Sequence, residues 1–266
     1  MAQRNIPERP AARATLVPRL QAHIELADPI TWVASITMVF CGALASSHQP
    51  SGFEPSHPGD ILLACLAAVM CGPLATGFSQ SINDYYDRDL DAINDPARPI
   101  PSGRLSLAEA RANWIGLALS TLAISVFLAR YSIWMPVFAL ISLILSVAYS
   151  VPPIKFKQNF WLGPPAVGLG YICLTWLVGH LLFGPVTWPS LLLALINSAL
   201  AAGLLFLNDI KSIEGDRQLG LKSLTVTLGV RRTLIVAFAI IALCEVAMLA
   251  LAVLGGYLWA AGLATI

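Results

Sequence analysis

The chain has 266 residues, of which 57% are hydrophobic and only 12% charged, about half the charge fraction of a soluble domain. Continuous apolar runs of roughly 20 residues recur along its length, which excludes a soluble globular protein and, because the runs do not alternate, a transmembrane β-barrel. The net charge of +1 gives no reason to expect a nucleic-acid partner; what carries information is where the charges lie.

Residues 1–27 read as a polar segment with Arg4, Arg9, Arg13 and Arg19. It lacks the short apolar core and small-residue cleavage site of a signal peptide. It is short for an organelle transit peptide and contains Glu8 and Glu25, so a bacterial inner (cytoplasmic) membrane is the expected location. Residues 28–266 then form one membrane domain, an all-α polytopic transmembrane bundle. Seven spans are expected, at about 30–48, 59–82, 108–129, 133–151, 162–184, 187–207 and 232–256. Pro/Gly-rich connectors occupy 49–58 and 184–189, and polar loops occupy 83–107 and 208–231.

This order of spans puts 15 of the 16 basic residues on one side, with Arg130 alone on the other. By the positive-inside rule that side, with the N-terminus, is cytoplasmic. An odd number of spans leaves the C-terminus outside. The five cysteines all fall in apolar segments without metal-ligand spacing and read as small apolar residues. His180, near the outer end of the fifth span, is expected at the interface. Glu245, in the seventh, is an ionisable residue at membrane depth and is left open.

The acidic residues gather in two places on the cytoplasmic side. In the segment NDYYDRDLDAINDPARPIPSG, Asn83 to Gly103, Asp84, Asp87 and Asp91 are spaced three and four apart. If the second helix continues through them they share a face, where like charges repel unless a cation sits among them. Carboxylate oxygens suit Mg²⁺, which recruits substrate phosphates to complete its shell, and Asn83 adds an amide at the same level. Asp89 is expected to face solvent or pair with Arg88. Arg98 and Arg104 follow in a proline-stiffened stretch, and the arginine fork suits phosphate oxygens.

The second cluster is NDIKSIEGDRQLGLKS, Asn208 to Ser223. Asp209 and Asp216 are two helical turns apart, and Lys211 and Lys222 could meet phosphate. The connector AYSVPPIKFKQN adds Tyr149, Lys155 and Lys157, the lysines as interfacial anchors or as diphosphate contacts. The plain alternative to a metal–diphosphate site is a pair of solvated loops. Another class, a cation or small-solute transporter, would call for ionisable residues near the bilayer midplane, whereas nearly all the charge here is at one face.

The NDxxDxxxD pattern met by Asn83, Asp84, Asp87 and Asp91, with a second Asp-rich loop, resembles the UbiA-type intramembrane aromatic prenyltransferase superfamily. NDYYDRDLDAINDPARPIPSGR at 83–104, AYSVPPIKFKQNFWLGPPAVGLGYI at 148–172 and NDIKSIEGDRQLGLKSL at 208–224 are most similar to its chlorophyll and bacteriochlorophyll synthase branch. The resemblance runs from about residue 25 to 235. It implies transfer of a C20 isoprenoid, geranylgeranyl or phytyl, from its diphosphate to the propionate carboxylate of a (bacterio)chlorophyllide. A quinone-type prenyltransferase that alkylates carbon is the alternative within the superfamily.

The implied metal ligands for Mg²⁺ are Asp84, Asp87, Asp91, Asp209 and Asp216. Arg98 and Lys155 would act on the departing diphosphate, and Asn83, Arg104, Tyr149, Asn208 and Lys211 would contact substrate. Tyr85, Tyr86, Trp161, Tyr171 and Trp176 are candidate wall residues. Two departures stand out. The first Asp of the superfamily's usual DxxxD second motif falls on Ser212 here. The family fold has nine transmembrane helices against the seven expected, so either the chain is truncated or the last two helices are dispensable.

Overall fold

The computed structural model describes residues 16–211, 213, 217 and 223–255, and among them every regular element is a helix. In chain order these are α1 (Leu16–Leu26), α2 (Pro29–Ser46), α3 (Pro58–Asn94) and α4 (Leu107–Leu128). They continue with α5 (Trp134–Ser150), α6 (Gly163–Leu181) and α7 (Trp188–Asn208), α8 (Leu224–Leu228) and α9 (Val230–Leu254). Prolines open α2, α3, α6 and α7, where the missing N–H would have no helical partner. The start of α4 is fixed by a reciprocal capping box between Ser106 and Glu109.

Six of the expected seven spans are helices long and apolar enough to cross a membrane; α5, with 17 residues, is the shorter seventh and sits at the lower limit of about 17. The main departure from the expected pattern is α3. It does not end near residue 82 but runs on to Asn94, 37 residues in all. At about 1.5 Å per residue that is roughly 55 Å, well beyond a hydrocarbon core of about 30 Å. The first Asp-rich segment is therefore helix, not loop, down to Asn94. Pro73 lies inside this rod within a wide π-helical turn, Met70–Thr76, which takes up the hydrogen bond a proline cannot make.

The bundle is held by close helix crossings of the kind small residues allow in membranes. A methyl group added at Gly42 of α2 would lie 1.9 Å from the carbonyl oxygen of Trp176, and one at Gly179 of α6 would lie 1.9 Å from that of Val39. Each glycine thus admits the other helix's backbone. The helix α1 seals one end: Ala22 and Leu26 are buried with Leu105 and Ala110, and Arg104 reaches back to Glu25 with two hydrogen bonds of 2.6 Å.

At the other end, His180, one residue from the end of α6, is wholly buried by the protein. Its Nδ1 is 2.9 Å from Ser190 Oγ, its Nε2 is 2.9 Å from Gln49 Nε2 and 3.1 Å from the Pro185 carbonyl, and Trp176 Nε1 donates to the same serine. Nε2 serves one neighbour at a time, accepting from Gln49 or donating to the Pro185 carbonyl, so a hydrogen bond at each ring nitrogen repays the burial. Glu245 is exposed on α9, and all five cysteines are free thiols.

Candidate active site

The C-terminal part of α3 carries two neighbouring stripes. On a helix of 3.6 residues per turn, residues seven apart fall about 20° from each other, and residues three apart about 60°. Asp84 and Asp91 therefore share one line, while Asp87 lies to its side, midway between that line and the one through Asn83 and Leu90.

The structure gives the first line and Asp87 different partners. Arg98 donates to Asp84 Oδ1 at 2.6 Å and to Asp91 Oδ2 at 3.4 Å, and its Nε is 3.7 Å from Asp95. Burial alone would lower the pKa of Arg98; Asp84, then Asp91, Asp95 and Asp28, outweigh it and hold the pKa above the usual arginine value. Asp87 instead meets two lysines. Lys157 Nζ is in direct contact with Asp87 Oδ2, and Lys155 Nζ is 3.4 Å from Asp87 Oδ1. Burial pushes both lysines down, Lys157 to about 8 against the opposing pull of Asp84.

Two lysines reach one carboxylate because of a local reversal after α5. Lys155 has a left-handed backbone, φ 38°, uncommon for a residue with a side chain. A single 3-10 turn, Phe156–Gln158, follows and returns Lys157 to the same place.

That place is a cavity of about 420 Å³. Asn83, Asp87 and Tyr86 of α3 line it, with Tyr149 of α5, Lys155 and Lys157 of the reversal, and Asp209 at the end of α7. Gln158, Phe160 and Ser223 complete parts of the wall. The two Asp-rich regions, 122 positions apart at Asp87 and Asp209, thus open onto one space. A larger cavity, about 750 Å³, opens at the opposite end among Ser51, Tyr131, Trp134 and Phe138. No carboxylate, ammonium or guanidinium lines it; the ionisable side chains line the smaller one.

Of the residues singled out in the sequence, Asn83, Asp87, Tyr149, Lys155 and Asp209 come together on this cavity. Asp84, Asp91 and Arg98 form their own cluster beside it. Arg104 is engaged with Glu25 and the Ala97 carbonyl. Asn208 and Lys211 are exposed and are not among the residues lining the cavity. Asp216, Glu214 and Lys222 lie outside the described residues. Asp89 is 78% exposed at the rim, 3.9 Å from Arg88, as its position on the helix suggests.

Of the five candidate wall residues Tyr85, Tyr86, Trp161, Tyr171 and Trp176, Tyr86 alone lines the cavity. Trp176 serves the His180 network, Tyr171 donates to Ser79, Tyr85 packs against the cluster containing Leu26, and Trp161 is 73% exposed. The resemblance assigns Lys155 to the diphosphate and gives Lys157 no role, yet the structure puts both on the cavity. The spacing of two between them was the available signal, but it takes the left-handed turn to make them converge.

Asn83, Asp87 and Asp209 are oxygen donors only, the ligand chemistry of Mg²⁺, and they fit that ion. Among the described residues no three His, Cys, Asp or Glu side chains are already gathered around one point.

The profile of the UbiA prenyltransferase family matches residues 34–266. This chain belongs to that family. Within it, the chain is 43% identical over 213 residues to chlorophyll synthase, chloroplastic, of Arabidopsis thaliana, covering 77% of this chain and 53% of that protein. It is 35% identical over 256 residues to the bacteriochlorophyll synthase 33 kDa chain of Cereibacter sphaeroides, covering 94% and 80%. The chain thus spans about half the length of the Arabidopsis relative. A solved structure of a UbiA homolog from Archaeoglobus fulgidus, bound to GPP and Mg²⁺, shares the fold with a TM-score of 0.72 at 21% identity, over 88% of this chain and 78% of that one.

Proposed function

We propose that this UbiA-family protein transfers a geranylgeranyl or phytyl group from its diphosphate to the propionate carboxylate of a chlorophyllide or bacteriochlorophyllide. The observation that carries the reading is the meeting of Asn83, Asp87 and Asp209 with Lys155 and Lys157 on one cavity at the end of an apolar bundle. The identities to plant and bacterial pigment synthases support the choice of acceptor. The charge distribution supports a cytoplasmic position for this end.

A divalent cation held by Asn83, Asp87 and Asp209, with Asp216 as a further candidate ligand, would neutralise the negative charge of the diphosphate, as the GPP- and Mg²⁺-bound archaeal homolog suggests. The protein's own groups do the rest. Lys155 and Lys157 hold the diphosphate oxygens. As the allylic C–O bond breaks, charge grows on the leaving group, and fixed ammonium ions stabilise it without reorganising. The pigment carboxylate attacks the electron-poor allylic carbon, and the product is an ester. The acceptor is already an anion, so no general base is required. Arg98 acts at one remove: it holds Asp84 and Asp91 and so fixes the end of α3 that presents Asp87.

The test is incubation of membranes containing the protein with Mg²⁺, geranylgeranyl diphosphate and either pigment acid. Esterified pigment is expected, with a loss of about 100-fold or more in an Asp87→Ala variant. Equal product from that variant refutes the role given to the cavity, and prenylation of a quinone precursor in place of the pigment acid refutes the acceptor.

A further inference from the structure

Asp87 is placed where a cation is required, yet a cation of the chain already stands on it. Lys157 is in direct contact with its Oδ2 and Lys155 is 3.4 Å from its Oδ1. All three side chains are at most 17% exposed, so their mutual attraction is poorly screened. A carboxylate neutralised in this way is a weakened ligand for a divalent ion, and the lysine and the metal compete for the same oxygens. The lysine is equally a natural partner for diphosphate: both lysines line the cavity, so an anion bound there meets both. A lysine can make such an exchange because its charge sits on a flexible four-carbon stem with rotatable donors. Arg98 is not arranged to do so, since it is tied to Asp84 and Asp91 at once.

We infer that Lys157 is a displaceable counter-ion, neutralising Asp87 until diphosphate draws its ammonium away, so that diphosphate and the divalent cation bind cooperatively. The inference rests on the reading above that Asp87 is a metal ligand. No covalent change is involved; one ion pair is exchanged for two. Because coupling between two ligands is reciprocal, each must strengthen the other by the same factor.

The experiment uses the full chain in nanodiscs, with Mn²⁺ as a spectroscopic probe of the metal site and inorganic pyrophosphate as the anion. In the wild type, pyrophosphate is expected to tighten Mn²⁺ binding roughly tenfold, and Mn²⁺ to tighten pyrophosphate binding equally. In Lys157→Met, Mn²⁺ alone should bind roughly tenfold tighter than to the wild type, pyrophosphate alone should bind more weakly, and the coupling should shrink to about twofold. A lysine that merely props up the site would weaken both when removed. Lys157→Gln provides the same comparison if the methionine variant unfolds, with the thermal midpoint as control. Unchanged or weaker Mn²⁺ binding in a folded Lys157 variant, while Asp87→Asn abolishes Mn²⁺ binding, overturns the counter-ion role and leaves the metal reading standing. Mn²⁺ binding that survives Asp87→Asn overturns the metal reading and the inference together.

Discussion

The two ends of the bundle each bury a polar cluster, and they differ in kind. At the far end, His180, Ser190, Gln49 and Trp176 form a neutral network in which the groups satisfy one another. At the near end the groups are ionic and mismatched in number: one guanidinium serves Asp84, Asp91 and Asp95, while two ammonium ions share Asp87. A closed neutral network is a solution to burial. Converging charges lining a cavity cost stability unless a ligand completes them. Both clusters contain buried ionisable residues, so burial alone does not separate structure from function.

That contrast can be broken by mutation. The largest effect on product belongs to Asp87→Ala, already given, which removes a group from the cavity. Arg98→Ala should act differently, through stability: it leaves two carboxylates, each 12% exposed, without their cation. Removing one partner of a buried pair costs up to about 5 kcal/mol, and the 40% exposure of Arg98 reduces this to about 2 kcal/mol, read as a drop in the thermal midpoint. Adding Asp84→Asn to Arg98→Ala should recover part of that loss, because it removes one stranded charge. A double variant no more stable than the single one would show that Asp84 gains nothing from the arginine. The smallest effect is expected at the neutral end. Ser190→Ala should cost about 1–2 kcal/mol through the partners it leaves at His180 and Trp176, with product formed per folded molecule unchanged. A large loss of turnover there would erase the distinction between the two ends.

The positions of the spans were legible because hydropathy reports them directly, and the shared side of Asn83, Asp87 and Asp91 on α3 was legible because helical spacing reports it. Spacing could not separate Asp87 from Asp84 and Asp91. Their directions differ by only about 40–60°, and which neighbour each one meets is decided by the 95–98 turn and the reversal at Lys155, both tertiary. The end of α3 was set too early for a related reason: charge marks where hydrocarbon ends, not where a helix does. The nearness of His180 to a span end was legible, and only the folding back of Gln49, Pro185 and Ser190 shows why it is buried.

The central claim is that the diphosphate belongs to the Lys155–Lys157 side of α3 and not to the Arg98 side. The most direct measurement is the pyrophosphate affinity, by calorimetry, of two folded variants, Lys155→Met/Lys157→Met and Arg98→Met. The account predicts a loss of roughly 100-fold for the lysine pair and a change within about threefold for the arginine. A tight-binding lysine variant beside an arginine variant that no longer holds pyrophosphate would contradict it.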